Sequence, residues 1–207
     1  MTTMTKSYFH RGGAVPLSGL TIPEHFAGIV ERFPDHEAVV SLHQGRRLTY
    51  AELAENIDEL ACGLLGMGFG KGDRIGIWST NNIEWLLVQM AAARIGAVLV
   101  CINPAYRTME LAHALNRSEL HALFAVPSFR SSDYVAMLTE LVPELKEGEK
   151  KLKCKEFPFL RRVVLFDPTD PAGTSRPYPG FTVWPEVLEG ASGVPREKLD
   201  AIAAELD

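Results

Sequence analysis

The chain has 207 residues and a formal net charge of −5, with 46% hydrophobic and 23% charged residues. That is the balance of an ordinary globular protein, long enough to bury roughly 70% of its unfolded surface, and its acidity argues against nucleic acid as the main partner. The longest apolar stretch, Ile83 to Ile102, is broken by Glu84, Gln89, Arg94 and Gly96, so no membrane span is expected.

The first 23 residues carry Lys6, His10 and Arg11 without an acid. They show neither a signal-peptide core nor enough arginine for a transit peptide, so a cytoplasmic location is expected. Residues 1–20 read as a flexible arm, rich in Gly, Ser and Thr. Thr21 caps a helix with Pro23 in its first turn, ended by Pro34. Ala38–Leu42 and Arg46–Leu48 form a hairpin around His43-Gln44-Gly45. Thr49-Tyr50-Ala51-Glu52 is a capping box, and Leu53, Ile57, Leu60 and Leu64 behind it repeat at helical spacing, one apolar stripe on an amphipathic helix.

Gly66, Gly68, Gly70 and Gly72 then lead into Asp73–Val126, which reads as strand, helix, strand, helix, strand. The strand Arg74–Ser79 is followed by a helix from Ile83 to Ile95, capped by Asn82 and stopped by Gly96. Val98–Ile102 is a continuous apolar strand ended by Asn103-Pro104, Thr108 opens a helix through Arg117, and His121–Val126 is the third strand. Strands apolar on both faces and separated by helices indicate a parallel sheet covered on both sides. Beyond it come a helix at 133–142 and a solvated charge run at 144–155, with five lysines and three glutamates. A fourth core strand at 162–166, a Pro/Gly loop at 167–180, and short helices at Thr182–Leu188 and Pro195–Leu206 complete the chain. The cysteines Cys62, Cys101 and Cys154 are odd in number and far apart, which fits a reducing compartment and gives no zinc spacing.

Two motifs imitate phosphate sites. Gly66-Met67-Gly68-Phe69-Gly70 follows a helix and precedes a strand, the reverse of what a phosphate-binding glycine loop needs. Ala191–Arg196 has Ser-Gly and Pro-Arg but lacks the run of hydroxyls and glycines that would wrap a triphosphate, and the stretch reads as a helix N-cap. His113 and His121 are spaced for no metal geometry. An open parallel sheet takes ligands outside the carboxyl ends of its strands. Those ends carry Ser79-Thr80-Asn81-Asn82 and Asn103-Pro104-Ala105-Tyr106-Arg107. Asn82 is a ligand candidate whose default role is capping. Arg107 is a phosphate or carboxylate candidate whose default is a surface ion pair.

Three stretches together resemble the adenylate-forming superfamily in its fatty acyl-CoA synthetase branch. They are Leu48–Leu53, Lys71–Ile77, and Arg94–Val100 with Asn103-Pro104, in the family's order and at its intervals; Asn103–Arg107 resembles the fatty acyl-CoA synthetases more than peptide-synthetase domains. The resemblance implies an incomplete amino-terminal AMP-binding α/β domain over 21–207, doubly wound and mostly parallel. It implies a reaction in which a carboxylate and ATP give an acyl-adenylate, and CoA then takes the acyl group. ATP, Mg and CoA are expected for the full-length family and fatty acid as its substrate, with none of the cofactors held tightly here. The family's phosphate loop, adenine and ribose segments and catalytic lysine are not among these residues. No catalytic, cofactor-binding or metal-binding residue is therefore carried over, and the chain alone is expected to be inactive. Self-association or a homo-oligomer is expected from an uncovered apolar core. The competing readings are a stand-alone, non-catalytic binding or interaction module of the same fold, and a piece of an adenylating enzyme for another carboxylic acid.

Overall fold

A computed structural model describes residues 18–170 and 178–206. The arm read over 1–20 lies outside them except for Ser18, Gly19 and Leu20, which form no element, as do 171–177 of the Pro/Gly loop and Asp207. In chain order the elements are α1 (Ile22–Arg32), β1 (Glu37–Ser41), β2 (Arg46–Thr49), α2 (Tyr50–Gly66), β3 (Arg74–Trp78), α3 (Ile83–Arg94), β4 (Val98–Ile102) and α4 (Thr108–Arg117). They continue with β5 (Ala122–Ala125), β6 (Ser128–Phe129), β7 (Ser132–Asp133), α5 (Tyr134–Leu141), β8 (Arg162–Leu165), β9 (Thr182–Val183), α6 (Trp184–Glu189) and α7 (Glu197–Ala203). Among the described residues no helix is long and apolar enough to cross a membrane.

The five-stranded sheet has the order β4-β3-β5-β8-β9, and every neighbouring pair is parallel. The chain winds outward from β3 to β4, then crosses back past β3 to β5, β8 and β9. Right-handed crossovers in opposite directions put α3 and α4 on opposite faces. Accordingly α3 packs with α2, and α2 with α6, while α4 packs with α5. This is the doubly wound α/β arrangement the alternating pattern predicts. Strands β3, β5 and β8 are buried almost throughout, but β4 is an edge, and Val98 and Cys101 on it are exposed.

Helix α2 carries the core. Thr49 Oγ1 accepts from the Glu52 amide at 3.2 Å, and the Glu52 carboxylate accepts from the Thr49 amide at 2.8 Å, the reciprocal capping box of the sequence. Leu53, Ile57, Leu60 and Leu64 are all buried. Two glycines in the last turns of α2 have a packing reason. A Cβ on Gly63 would collide with the Val187 carbonyl and one on Gly66 with the Gly190 carbonyl, so these positions let the backbone around α6 lie against α2.

Four expectations need correction. Thr182–Leu188 is not one helix: Thr182 and Val183 pair in parallel with Val164 and Leu165 as a fifth strand, and the helix begins only at Trp184, with Pro185 in its first turn. Ser192 is no N-cap; it lies in a 3₁₀ turn and its hydroxyl donates to the Glu189 carbonyl at 2.8 Å. The last helix is shorter than Pro195–Leu206 and starts at Glu197. The charge run is solvated only through its charges. All five lysines are exposed, but Leu145, Leu152 and Cys154 are buried, so its apolar residues anchor it to the core.

At the amino ends of the strands, His121 Nδ1 accepts from the Arg74 amide at 3.0 Å. The same cluster holds Asp73, paired with Arg161; Arg74, paired with Glu119; and the Phe159 ring, packed edge-on against the imidazole. Burial lowers the His121 pKa below its ordinary 6.5; Asp73 opposes this and Arg161 reinforces it. The neutral ring's contribution to stability is complete above pH 6.5 and is lost as pH falls toward the folded-state value, because the unfolded chain takes the proton first. The denaturant midpoint should therefore fall on acidification from about pH 7 to about pH 5.5, with a shallower fall in His121→Gln, read by urea melts at each pH. In the core, Leu60→Ala should cost about 2–5 kcal/mol through the cavity it leaves. Thr49→Ala should cost about 1 kcal/mol through the lost cap. Melts that rank the two the other way would refute the face assignment.

Candidate functional site

A sheet with this winding reverses direction between β3 and β5, and the crevice at their carboxyl ends is its default ligand site. Here that position is built over. Trp78, the last residue of β3, is wholly buried and stacks on Tyr134, the first residue of α5, with ring centroids 3.4 Å apart and planes within 1°. Trp78 Nε1 donates to the Asn103 carbonyl at 3.1 Å, and the Tyr134 hydroxyl donates to the next carbonyl, that of Pro104. The Tyr134 ring therefore lies across the end of β3 and is tied to the exit of β4. Burial pushes its phenol up to about 12, so it remains a donor at neutral pH. The short β6–β7 hairpin sets it there: the Tyr134 and Val135 amides both donate to the Pro127 carbonyl, and Asp133 caps α5 by accepting from the Ala136 amide at 2.9 Å.

The neighbouring helix N-terminus is also filled. Asn82 Oδ1 accepts from the Trp85 amide at 2.7 Å, and its amide group donates to Ser79 Oγ and the Thr80 carbonyl. Gln44, in the β1–β2 turn, accepts from the Ile83 amide at 2.9 Å and from Ser41 Oγ at 2.8 Å, while its own amide donates to Glu84 at 2.8 Å. Glu84 is buried and pairs with Arg46 of β2 at 2.7 Å. Two first-turn amides that could grip an anion, those of Ile83 and Trp85, are thus held by the chain's own side chains, and a carboxylate stands beside them.

Both sequence candidates have structural work. Asn82 is the cap of α3, its default role. Arg107 reaches the β6–β7 hairpin, where its guanidinium donates to Ser132 Oγ at 2.9 Å. His113 is exposed on α4, while His121 sits at the opposite, amino ends of the strands. Among the described residues, a cleft of about 710 Å³ is open between the exits of β3 and β4, lined by residues that include Thr80, Asn81, Trp85, Cys101, Asn103 and Pro104. No charged side chain lines it. Among the described residues no group of His, Cys, Asp or Glu could hold a metal ion. The arrangement can support a neighbouring site and orient the loops after β3 and β4, but nothing in it grips a phosphate. Sequence reasoning missed Tyr134, Gln44, Arg46 and Glu84. Glu84 was visible as a lone acid opening an apolar helix, but no spacing rule links it to residues about forty positions earlier.

Comparison with known proteins gives a consistent answer. The profile of the family described as AMP-binding enzyme matches residues 26–185. The chain is 36% identical over 187 residues to the mitochondrial medium-chain acyl-CoA ligase ACSF2 of Homo sapiens, covering 90% of this chain and 29% of that protein. It is 37% identical over 170 residues to the ACSF2 of Danio rerio, covering 82% of this chain and 28% of that one. The chain therefore spans less than a third of the length of these relatives. Among solved structures, MbtA of Mycobacterium smegmatis superposes with a TM-score of 0.64 at 28% identity, over 84% of this chain and 28% of that one.

The Trp78–Tyr134 plug makes its own prediction. Tyr134→Phe keeps the stack and removes the bond to Pro104, and should cost about 0.5–1.5 kcal/mol. Tyr134→Ala should cost about 3–5 kcal/mol, because it leaves a ring-sized cavity against Trp78. Denaturant melts monitored by tryptophan fluorescence measure both, and equal losses would mean the stack contributes nothing.

Proposed function

The chain belongs to the AMP-binding enzyme family, and we propose that it forms the amino-terminal part of an ATP-dependent acyl-CoA ligase. The observation that carries the proposal is the breadth of one likeness: 90% of the chain aligns with a medium-chain acyl-CoA ligase, yet fills only 29% of it. In the proposed reaction a fatty acid carboxylate attacks the α-phosphate of ATP, giving an acyl-adenylate and pyrophosphate. The CoA thiol then displaces AMP to form the thioester. The names of the relatives put medium-chain acids first among the substrates.

Within such an enzyme these residues act as scaffold. The Trp78–Tyr134 stack and the Asn82 cap fix the loops leaving β3 and β4, and the Gln44–Glu84–Arg46 bonds hold the β1–β2 hairpin against α3. The charge-free cleft at the strand ends and the filled helix N-terminus support assigning ATP, Mg and CoA to the remainder of the enzyme. Among the described residues no group of His, Cys, Asp or Glu could hold the metal. A reducing, cytoplasmic setting belongs to the same proposal and is supported by three free thiols, two of them buried.

Adenylation needs donors aimed at the charge developing on the α-phosphate, and losing one such donor typically costs ~100- to 1,000-fold. The 207-residue chain alone should therefore show no ATP–pyrophosphate exchange with octanoate or palmitate. Exchange should appear with octanoate when the carboxy-terminal portion of the ligase is supplied. Radiolabelled pyrophosphate measures both arms, and robust exchange by the 207 residues alone would overturn the scaffold assignment.

A further inference from the structure

We infer that β4 is a dimerisation edge, and that its occupant is the β4 strand of a second copy of this chain. Among the described residues, strand β4 pairs with β3 on one side only, in an unbroken register of five residues from Val98 to Ile102. Its outer side leaves a row of backbone donors and acceptors to be satisfied. Natural sheets blunt such edges with lysine, proline or a bulge. This one reads Val-Leu-Val-Cys-Ile and has none of them. Apolar side chains beside it are uncovered: Val98 is 51% exposed and Met109 on the adjacent α4 is 83% exposed. Between β4 and α4 runs a groove of about 550 Å³, lined by Val100, Cys101, Tyr106, Met109, His113 and Arg117 among others.

The charges on this face favour a second copy as the occupant. As a parallel crossover helix, α4 runs antiparallel to β4, and His113 lines the same groove as Val100, the middle residue of the strand. A two-fold axis perpendicular to the sheet through Val100 pairs the two β4 strands antiparallel, with Val98 opposite the second copy's Ile102. It keeps both α4 helices on one face, antiparallel, with the axis close to His113. Glu110, one turn before His113, then faces the second copy's Arg117, one turn after, and the reverse pair forms by symmetry. Glu110 uses one carboxylate oxygen on the Arg107 amide and has the other available. The surface is thus complementary to itself in hydrogen bonding, apolarity and charge, as an isologous interface requires. The two sheets join into one of twice the width.

Sedimentation velocity over a concentration series tests the inference on the 207-residue protein, independently of whether it serves a ligase. A dimer is expected. Val98→Lys and Met109→Lys change side chains that are more than half exposed in one copy, so they should keep the far-ultraviolet circular dichroism while weakening the dimer about tenfold or more. Val100→Cys places two thiols opposite each other across the axis and should give a covalent dimer under mild oxidation. A monomer throughout the series would overturn the inference. So would a dimer indifferent to both lysines, which would put the interface elsewhere. A dimer dissolved by the carboxy-terminal portion of the ligase, with the β4 amides protected from exchange in the resulting complex, would assign the edge to that polypeptide instead.

Discussion

The site depends on two aromatic rings and two consecutive carbonyls. Trp78 ends β3, Tyr134 begins α5, and their stack would slide freely were it apolar only. Each ring instead spends its one polar atom on the backbone after β4, Trp78 on Asn103 and Tyr134 on Pro104. Buried donors must find acceptors, and these two find neighbouring ones. The pair thereby fixes the exits of β3 and β4 and the start of α5 relative to one another. The Asn103-Pro104 turn is held from inside as well, because Asn103 Oδ1 accepts from the Ala105 amide at 2.9 Å. Side chains that in an open sheet of this winding would leave a crevice here close it.

A second constraint joins the hairpin to the sheet. Two strands alone are marginal in water, and Val40 and Leu42 of this hairpin are 44% and 83% exposed. Its hold on the rest comes through α2, to which β2 leads directly, and through the Gln44, Arg46 and Glu84 bonds onto α3. A buried ion pair adds little net stability over an apolar substitute, yet breaking one partner is costly. Its contribution is therefore orientation: the hairpin can sit on α3 in only one way that leaves Glu84 paired and the Ile83 amide satisfied.

How much of this was legible follows from which physics each element uses. Repeating patterns were readable because burial is periodic: the Leu53–Leu64 stripe, the three strands from Arg74 to Val126 and the stops at Gly96 and Pro127 all fall where the pattern puts them. Capping by Thr49 and Asn82 was readable because a cap is local. The fifth strand was not, since two residues, Thr182 and Val183, carry no period, and only the exposed edge of β8 makes them a strand. Ser192 failed for a related reason. It lies in the 3₁₀ turn Gly190–Gly193, while the helix starts only at Glu197 with Arg196 at its cap position. Tyr134 and Gln44 act through partners 30 and about 40 residues away, which no local rule reaches.

The two ends of the sheet are treated in opposite ways, and this shapes what the chain can do. At the amino ends, charges cluster: Asp73, Arg74, Glu119 and Arg161 surround His121, and the Arg161 guanidinium also lies over the Phe69 ring at 4.7 Å. At the carboxyl ends, where a ligand of this fold is bound, the open cleft is lined by hydroxyl, amide, thiol and ring groups without a charge. Charge at the first end is consumed in internal pairs. Its absence from the cleft at the second leaves neutral hydrogen-bonding groups there, which can be buried against a polypeptide face that offers them partners and which give a triphosphate no opposite charge.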